Sequence, residues 1–177
     1  MKWKSFSFEG VEFALDHVHP FEWAFTAPAA AKRPERTYKI QVMFSMHTFT
    51  RGLQDGEHVP DLLYRDSREV RAFDFVRYEL SKRLPEIVTL LGERRCYHTH
   101  HGNFFTLEII NAEGQPSDYE IYFKVSKSSQ KGWLNLFIES AYVRDAEYQT
   151  SQPKKRKIGF QVIAYNIMHG KKLNPGQ

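Results

Sequence analysis

The spacing of apolar residues changes along the chain, and each change predicts a different element. Apolar residues alternate with polar ones on both sides of Glu9-Gly10, which predicts a short N-terminal β-hairpin. The stretch 17–36 is rich in alanine and proline and is interpreted as a loop or linker. From Tyr38 to Met46 the alternation resumes, which indicates a strand with one apolar face.

The segment from Ser67 to Leu91 has an apolar residue at every third or fourth position, the spacing of one helix face. The stripe consists of Val70, Phe73, Val76, Leu80, Leu84, Ile87 and Leu91. Pro85 lies inside this pattern, and because proline lacks an amide donor we expect a kink or split near Leu84. The pattern predicts one long helix that packs its stripe on a sheet.

From Arg94 onward the period becomes two, with candidate strands at 103–111, 119–127, 133–144 and 158–169. Because the connections are short, neighbouring strands should pair antiparallel. The predicted fold class is therefore α+β, a long helix packed on an antiparallel meander of four to five strands, with an N-terminal β-hairpin extension. The expected divisions are a hairpin and linker (1–37), an α+β core domain (38–170) and a tail (171–177).

Composition restricts the class of binding partner more than it restricts the fold. The chain has 177 residues, of which 41% are hydrophobic, enough for one core. Its net charge of +4 permits an anionic partner such as RNA. With a single cysteine and no long apolar run, we expect a cytoplasmic protein without disulfides or membrane contact.

The stretch "CYHTHHGNFF", from Cys96 to Phe105, places three histidines close together. On a strand, His98 and His100 would point to one side and His101 to the other. A zinc site needs three or four ligands, and the rest of the chain offers no recognisable partner motif. We therefore expect no metal and no cofactor. A metal-dependent hydrolase built on this cluster is one alternative function, beside the two given at the end of this section.

Polar residues that could act on RNA gather on the predicted strands. His47 near a strand end can move a proton, and Arg51 close behind it can hold a phosphate. Lys124 lies on the polar side of one strand, and Ser140, Tyr142 and Arg144 lie on the next. Cations and a proton carrier are what metal-independent cleavage of an RNA phosphodiester requires, although a solvated sheet face would show the same alternation.

The stretch "IESAYVRD", from Ile138 to Asp145, resembles the small-hydroxyl, alanine and aromatic signature of several ribonuclease toxins. A helix followed by a four-stranded meander is also similar to the core of the barnase, EndoU, colicin-nuclease and RelE group. This resemblance implies a ribonuclease fold and carries over Ser140, Tyr142 and Arg144 as catalytic residues. His47 and Lys124 are assigned to catalysis from geometry alone.

The sequence thus predicts a metal-independent endoribonuclease of toxin type, with RNA as its partner and a protein inhibitor as a further possible one. The nucleic-acid-binding residues would be Arg51, Lys154, Lys155, Arg156 and Lys157, the last four forming a basic run. The alternative is a non-catalytic RNA-binding or protein-interaction module of a defence or mobile-element locus.

Overall fold

The computed structural model of the chain describes residues 2–30, 33–99, 102–112, 115–144 and 156–173. Within these residues the strands are β1 (Phe6–Phe8), β2 (Val11–Phe13), β3 (Phe21–Ala27), β4 (Arg36–Phe44), β5 (Thr50–Arg51), β6 (Leu63–Arg65), β7 (Val70–Phe73), β8 (Cys96–His98), β9 (Phe104–Ala112), β10 (Gln115–Lys127), β11 (Trp133–Val143) and β12 (Arg156–Ile158). The helices are α1 (Phe75–Ser81), α2 (Leu84–Thr89) and α3 (Phe160–Met168). Short 3-10 turns lie at Asp16–Val18, Met46–Thr48 and Pro60–Leu62.

The main sheet has seven strands in the order β12-β8-β9-β10-β11-β4-β3. Neighbouring strands within this sheet pair antiparallel, except β11 and β4, which run parallel. The run from β9 to β11 is the antiparallel meander that the turn spacing predicted. The predicted fold class is nevertheless wrong, because the sheet is larger and mixed and no long helix packs on it.

The predicted long helix is instead a strand and two short helices. Val70–Phe73 forms β7, which pairs with β5 and β6 in a separate three-stranded sheet. The Asp74 carboxylate then caps α1 by accepting a hydrogen bond from the Arg77 amide at 2.9 Å. Pro85 lies in the first turn of α2, and since its ring would clash with the carbonyl four residues earlier, α1 ends at Ser81. The expected break near Leu84 is therefore confirmed.

The last predicted strand is the helix α3. Its buried residues Phe160, Ile163 and Ala164 follow the three-and-four spacing of a helix face. The Phe160 ring lies 5.4 Å from Trp23 and 5.0 Å from Phe25, so α3 covers the side of the sheet that carries these rings. The interpretation of 158–169 as a strand is wrong. Its apolar residues fit the strand period of two as well as the helical period of 3.6, and Phe160–Met168 forms a helix.

The N-terminal hairpin is confirmed by the pairing of β1 with β2. The Phe6 ring stacks on Phe73 of β7 at 4.1 Å, which ties the hairpin to the three-stranded sheet. The interpretation of 17–36 as a loop is wrong for Phe21–Ala27, which forms β3 and pairs with β4. In the described part of the chain, no helix combines the length and apolar character needed to cross a membrane.

A β-bulge in β11 decides which side chains share a face. Tyr122 of β10 pairs with Ser140, but the next residue, Phe123, pairs with Ile138, so Glu139 has no partner on β10. Simple alternation would put Ser140 and Tyr142 on the apolar side with Ile138. The extra residue instead turns both toward the side that carries Tyr122.

Candidate nucleic-acid interface

One side of the main sheet is covered by α3, and the other side is open over β4, β10 and β11. Strand alternation and register bring together on this open face Lys39, Gln41, Met43, Lys124, Ser126, Trp133, Asn135 and Phe137. Trp133 lies opposite Lys39, and Phe137 lies between Met43 and Lys124. The side chains on the reverse of the same strands, such as Leu136 and Val125, are buried.

Two aromatic rings on the open face are accessible. Phe137 is 37% exposed although it lies on an internal strand, and Trp133 is half-buried. The two positions are four residues apart, which corresponds to about 13 Å along a strand. At this separation each ring can stack with a planar group of its own.

Lysines and amides surround these rings. The Lys39 ammonium lies 5.8 Å from the Trp133 ring centroid, and Lys124 is exposed beside Phe137. Asn135 lies between Gln41 and Ser126, and the Gln41 amide donates to the Phe21 carbonyl at 3.1 Å. Glu22, on the edge strand β3 and opposite Gln41, adds one carboxylate to this region. The face therefore combines stacking surfaces, positive charge and hydrogen-bonding groups.

Beside the open face lies a compact polar group, here called the arginine–tyrosine cluster, formed by Arg77, Glu120, Tyr122, Tyr142 and Arg144. The Glu120 side chain is fully buried, and Arg144 donates to its two oxygens at 3.0 and 2.9 Å. The Tyr122 hydroxyl donates to the same carboxylate at 2.7 Å. The Arg77 guanidinium lies 5.3 Å from the Tyr142 ring centroid, and the Arg144 guanidinium lies 5.7 Å from it.

Electrostatics inside this cluster favour a fixed charge arrangement. Burial raises the pKa of Tyr122, and the hydrogen bond to Glu120 raises it further. The hydrogen bonds to Glu120 raise the pKa of Arg144. Tyr122 therefore keeps its proton and Arg144 its charge at every physiological pH, so this cluster is better suited to holding strands together than to moving protons.

A row of stacked rings extends from the cluster across four strands. Tyr97 stacks on Phe105 at 5.1 Å, Phe105 on Tyr122 at 5.5 Å, and Tyr122 on Tyr142 at 5.7 Å. Phe105 is fully buried and Tyr97 is 8% exposed, so these rings are not accessible to a ligand as Phe137 is. The row makes β8 to β11 one rigid support for the open face.

His47 lies in the 3-10 turn Met46–Thr48 rather than on the polar face of a strand. Its Nε2 atom is 2.7 Å from Oε1 of Glu69, and both side chains are about one-third exposed. Arg71 lies 3.6 Å from the same carboxylate and donates to the Thr50 hydroxyl at 2.9 Å. The Arg77 guanidinium donates to the His47 carbonyl at 3.3 Å, which links this turn to the arginine–tyrosine cluster.

The structure therefore brings together some of the residues that the sequence singled out. Tyr142 and Arg144 are in contact, with the Arg144 guanidinium 3.3 Å from the Tyr142 hydroxyl. Ser140 lies half-buried next to the bulge. Lys124 is on the same side of β10 as Tyr122 but belongs to the open face. Sequence reasoning missed Glu69 and Glu120, the acidic partners, because their pairing depends on contacts 22 and 24 residues apart.

The expected phosphate-binding residues are more scattered. Arg51 forms a two-pronged ion pair with Glu57, whose pKa it lowers to about 2. Arg156 and Lys157 are exposed on the edge strand β12. Lys154 and Lys155 lie outside the described residues, as do two members of the histidine cluster. Among the residues that the structure does describe, no three His, Cys, Asp or Glu side chains lie close enough to hold a metal ion.

A comparison with protein-family models identifies the chain. The model of the YjaZ family matches residues 5–168, so the chain belongs to this family. Comparisons with curated proteins and with solved structures gave no match. The family description names no substrate or reaction.

Proposed function

We propose that this member of the YjaZ family binds single-stranded RNA on its open face. The observation that carries the proposal is the exposed Phe137 ring in the middle of a sheet, with Trp133 along the same strand and lysines beside both. Bases stack on such rings whatever their sequence, while lysines meet the phosphates. The net charge of +4 is consistent with an anionic partner.

The rings and the lysines should each make a measurable contribution to RNA binding. Stacking on an aromatic side chain contributes about 1–3 kcal/mol per base, so Phe137→Ala or Trp133→Ala should weaken RNA binding about 5- to 150-fold each. Each lysine that neutralises a phosphate contributes about 0.7 to the slope of log K against log salt. The pair Lys39→Gln and Lys124→Gln should therefore reduce that slope by about 1.4.

The test is fluorescence anisotropy with a labelled, unstructured RNA of mixed sequence at several salt concentrations, alongside a DNA of the same sequence. Val11→Ala, which removes an exposed apolar side chain from the hairpin, serves as the control for the ring variants. Lys2→Gln with Lys4→Gln controls for charge, since both lysines are exposed at the N-terminus. Equal affinity of wild type and both ring variants would refute the proposal.

Cleavage of the bound RNA is a second candidate function. It is favoured by the His47–Glu69 pair, in which a partly exposed histidine is oriented by a carboxylate and has Arg71 nearby. A histidine in this arrangement can transfer a proton to or from a reacting hydroxyl without a metal.

Cleavage is tested by incubating the same RNA with wild type and His47→Ala in the presence of EDTA. A proton carrier contributes a factor of about 10² to 10⁴, so His47→Ala should abolish measurable product if His47 acts in this way. Intact RNA with wild type, together with normal binding, would leave binding alone as the function.

A further inference from the structure

A second candidate site lies on the opposite side of the sheet from the open face. It is an open pocket of about 240 Å³ between the C-terminal end of α3 and strands β8 to β10, here called the α3 pocket. Its apolar lining consists of Phe104, Val125, Ile167 and Leu173, and its polar rim of His98, Thr99, Gly102, Lys171 and Lys172.

The end of α3 determines where the lysines lie. The helix stops in a Schellman motif, in which the Gly170 amide donates to the Ile167 carbonyl at 3.1 Å and the Lys171 amide to the Asn166 carbonyl at 2.8 Å. Gly170 has a φ of 65°, a left-handed conformation that glycine adopts without strain. The chain then turns back, so Leu173 contributes to the apolar lining while Lys171 and Lys172 stand at the rim.

Among the described residues that line the pocket, the rim carries two lysines and no carboxylate. In the described part of the chain neither Lys171 nor Lys172 makes an ion pair, whereas Lys82 and Arg51 pair with carboxylates. The Lys171 ammonium instead donates to the Tyr165 hydroxyl at 3.4 Å and lies 4.8 Å from the centroid of that ring, two contacts that leave its charge without a carboxylate partner among the described residues.

Another positive charge lies close to the histidine of the rim. Burial lowers the pKa of His98, and Arg156, its cross-strand neighbour on β12, lowers it further. The His98 ring lies 5.4 Å from the Phe104 ring, so it stands where the apolar lining meets the rim. A ligand in the pocket would therefore meet apolar surface on one side and the residues Lys171 and Lys172 at the rim.

We propose that the α3 pocket binds a phosphate monoester, with its phosphate against Lys171 and Lys172 and a compact apolar group on Phe104, Val125 and Leu173. The dianionic phosphate matches the two lysine charges, and lysines bind phosphate as point charges without a fixed geometry. The apolar lining gives preference to an organic phosphate over inorganic phosphate. This site is separate from the open face, so it stands or falls independently of the RNA-binding proposal.

The experiment is calorimetric titration of the full chain with phenyl phosphate, inorganic phosphate and phenol. Phenyl phosphate should bind at one site about tenfold more tightly than inorganic phosphate, the factor that burial of roughly 60 Å² of apolar surface gives. Phenol should show no measurable binding. Equal affinity for phenyl phosphate and inorganic phosphate would overturn the proposal.

Variants locate the site. Lys171→Gln with Lys172→Gln should weaken phenyl phosphate binding at least about tenfold, whereas the exposed pair Lys2→Gln with Lys4→Gln, which removes the same charge elsewhere, should leave it unchanged. Leu173→Ser should lower the preference for phenyl phosphate and leave inorganic phosphate binding as it was. Equal losses in both lysine pairs would show general charge attraction and refute the site.

Two further arms separate the sources of the phosphate group and the two surfaces. A trinucleotide with a 5′-phosphate that displaces phenyl phosphate, when the same trinucleotide without the phosphate does not, identifies a nucleic-acid end as the source. No displacement identifies a small organic phosphate. Phe137→Ala should bind phenyl phosphate as wild type does, because Phe137 lies on the other side of the sheet.

Discussion

The assignment of 160–168 as a helix rather than a strand can be tested by a matched pair of substitutions in α3. Ile163 is fully buried, and Val162 next to it is half-buried. On a strand that buried Phe160 and Ala164, Val162 would share their side and Ile163 would face away. A helix therefore predicts that Ile163→Ala lowers the free energy of unfolding more than Val162→Ala does, whereas a strand predicts the reverse order.

The magnitude follows from the burial of Ile163. Its truncation to alanine removes three carbon atoms, a loss of about 2.4 kcal/mol at about 0.8 kcal/mol per buried methylene. A cavity of up to about 75 Å³ adds as much as about 1.8 kcal/mol if the surroundings do not close. We expect a loss of about 2–4 kcal/mol for Ile163→Ala. Val162→Ala should cost less than about 1 kcal/mol, because alanine also has the higher helix propensity.

Urea unfolding followed by tryptophan fluorescence measures both free energies of unfolding. Trp23 is a suitable reporter, since its ring stacks at 5.4 Å on Phe160 of α3. The slope of the free energy against urea should stay the same in both variants. A cost for Val162→Ala equal to or greater than that for Ile163→Ala would refute the helical packing.

Three further predictions concern single positions. Gly92→Ala should destabilise the protein by about 1–3 kcal/mol in the same urea assay, because its new methyl group would lie 2.4 Å from the Phe25 ring; a neutral effect would contradict that contact. The Glu57 carboxyl should titrate near pH 2 by NMR, and nearer its ordinary 4.5 in Arg51→Met. Because the folded pKa is the lower one, the Arg51–Glu57 pair stabilises the fold above about pH 4.5, and that stabilisation disappears as the pH falls through 2. Cys96 is buried with a pKa raised to about 12, so it should react with Ellman's reagent in urea and not in buffer, and rapid reaction in buffer would contradict its burial.

The meander could be predicted because its information is local. From Tyr119 to Val125 every second residue is apolar, and short turns separate the runs on either side. The strands β9 and β11 therefore begin and end within one residue of the predicted bounds, while β10 begins four residues earlier than predicted. In 158–169 the apolar residues fit a period of two and a period of 3.6 equally well. There the contact of Phe160 with Trp23 and Phe25, more than 130 residues earlier, goes with the helix, and no local pattern contains that contact.

The strand β3 was missed although a signal was present. Phe21, Trp23 and Phe25 alternate within the stretch that was interpreted as a linker, and these rings pack on the same side of the sheet. The alanines and prolines that follow these rings are typical of a loop, and they mask the alternation before them. Similarly, the apolar residues of Val70–Phe73 fit the helical spacing of the sequence, but the backbone of this segment pairs with a strand on each side.

The surroundings of the candidate residues depended on one feature that alternation cannot predict. The bulge at Glu139 turns Tyr142 toward Glu120 and Tyr122, and it thereby creates the arginine–tyrosine cluster. Trp133 and Phe137 were visible in the sequence, but whether they lie under a helix or in solvent follows only from the position of α3. Of the predicted catalytic residues, Lys124 lies on the open face, while Ser140 and Tyr142 lie beyond the bulge on the same side of the sheet.

The central claim, that RNA lies on the open face, is tested most directly by ultraviolet cross-linking. A bound RNA that contains 4-thiouridine is irradiated, and mass spectrometry identifies the protein residues joined to it. The account predicts cross-links at Trp133 and Phe137, which disappear when unlabelled RNA is added in excess. Cross-links confined to residues of α3 or β12, with none on the open face, would contradict it.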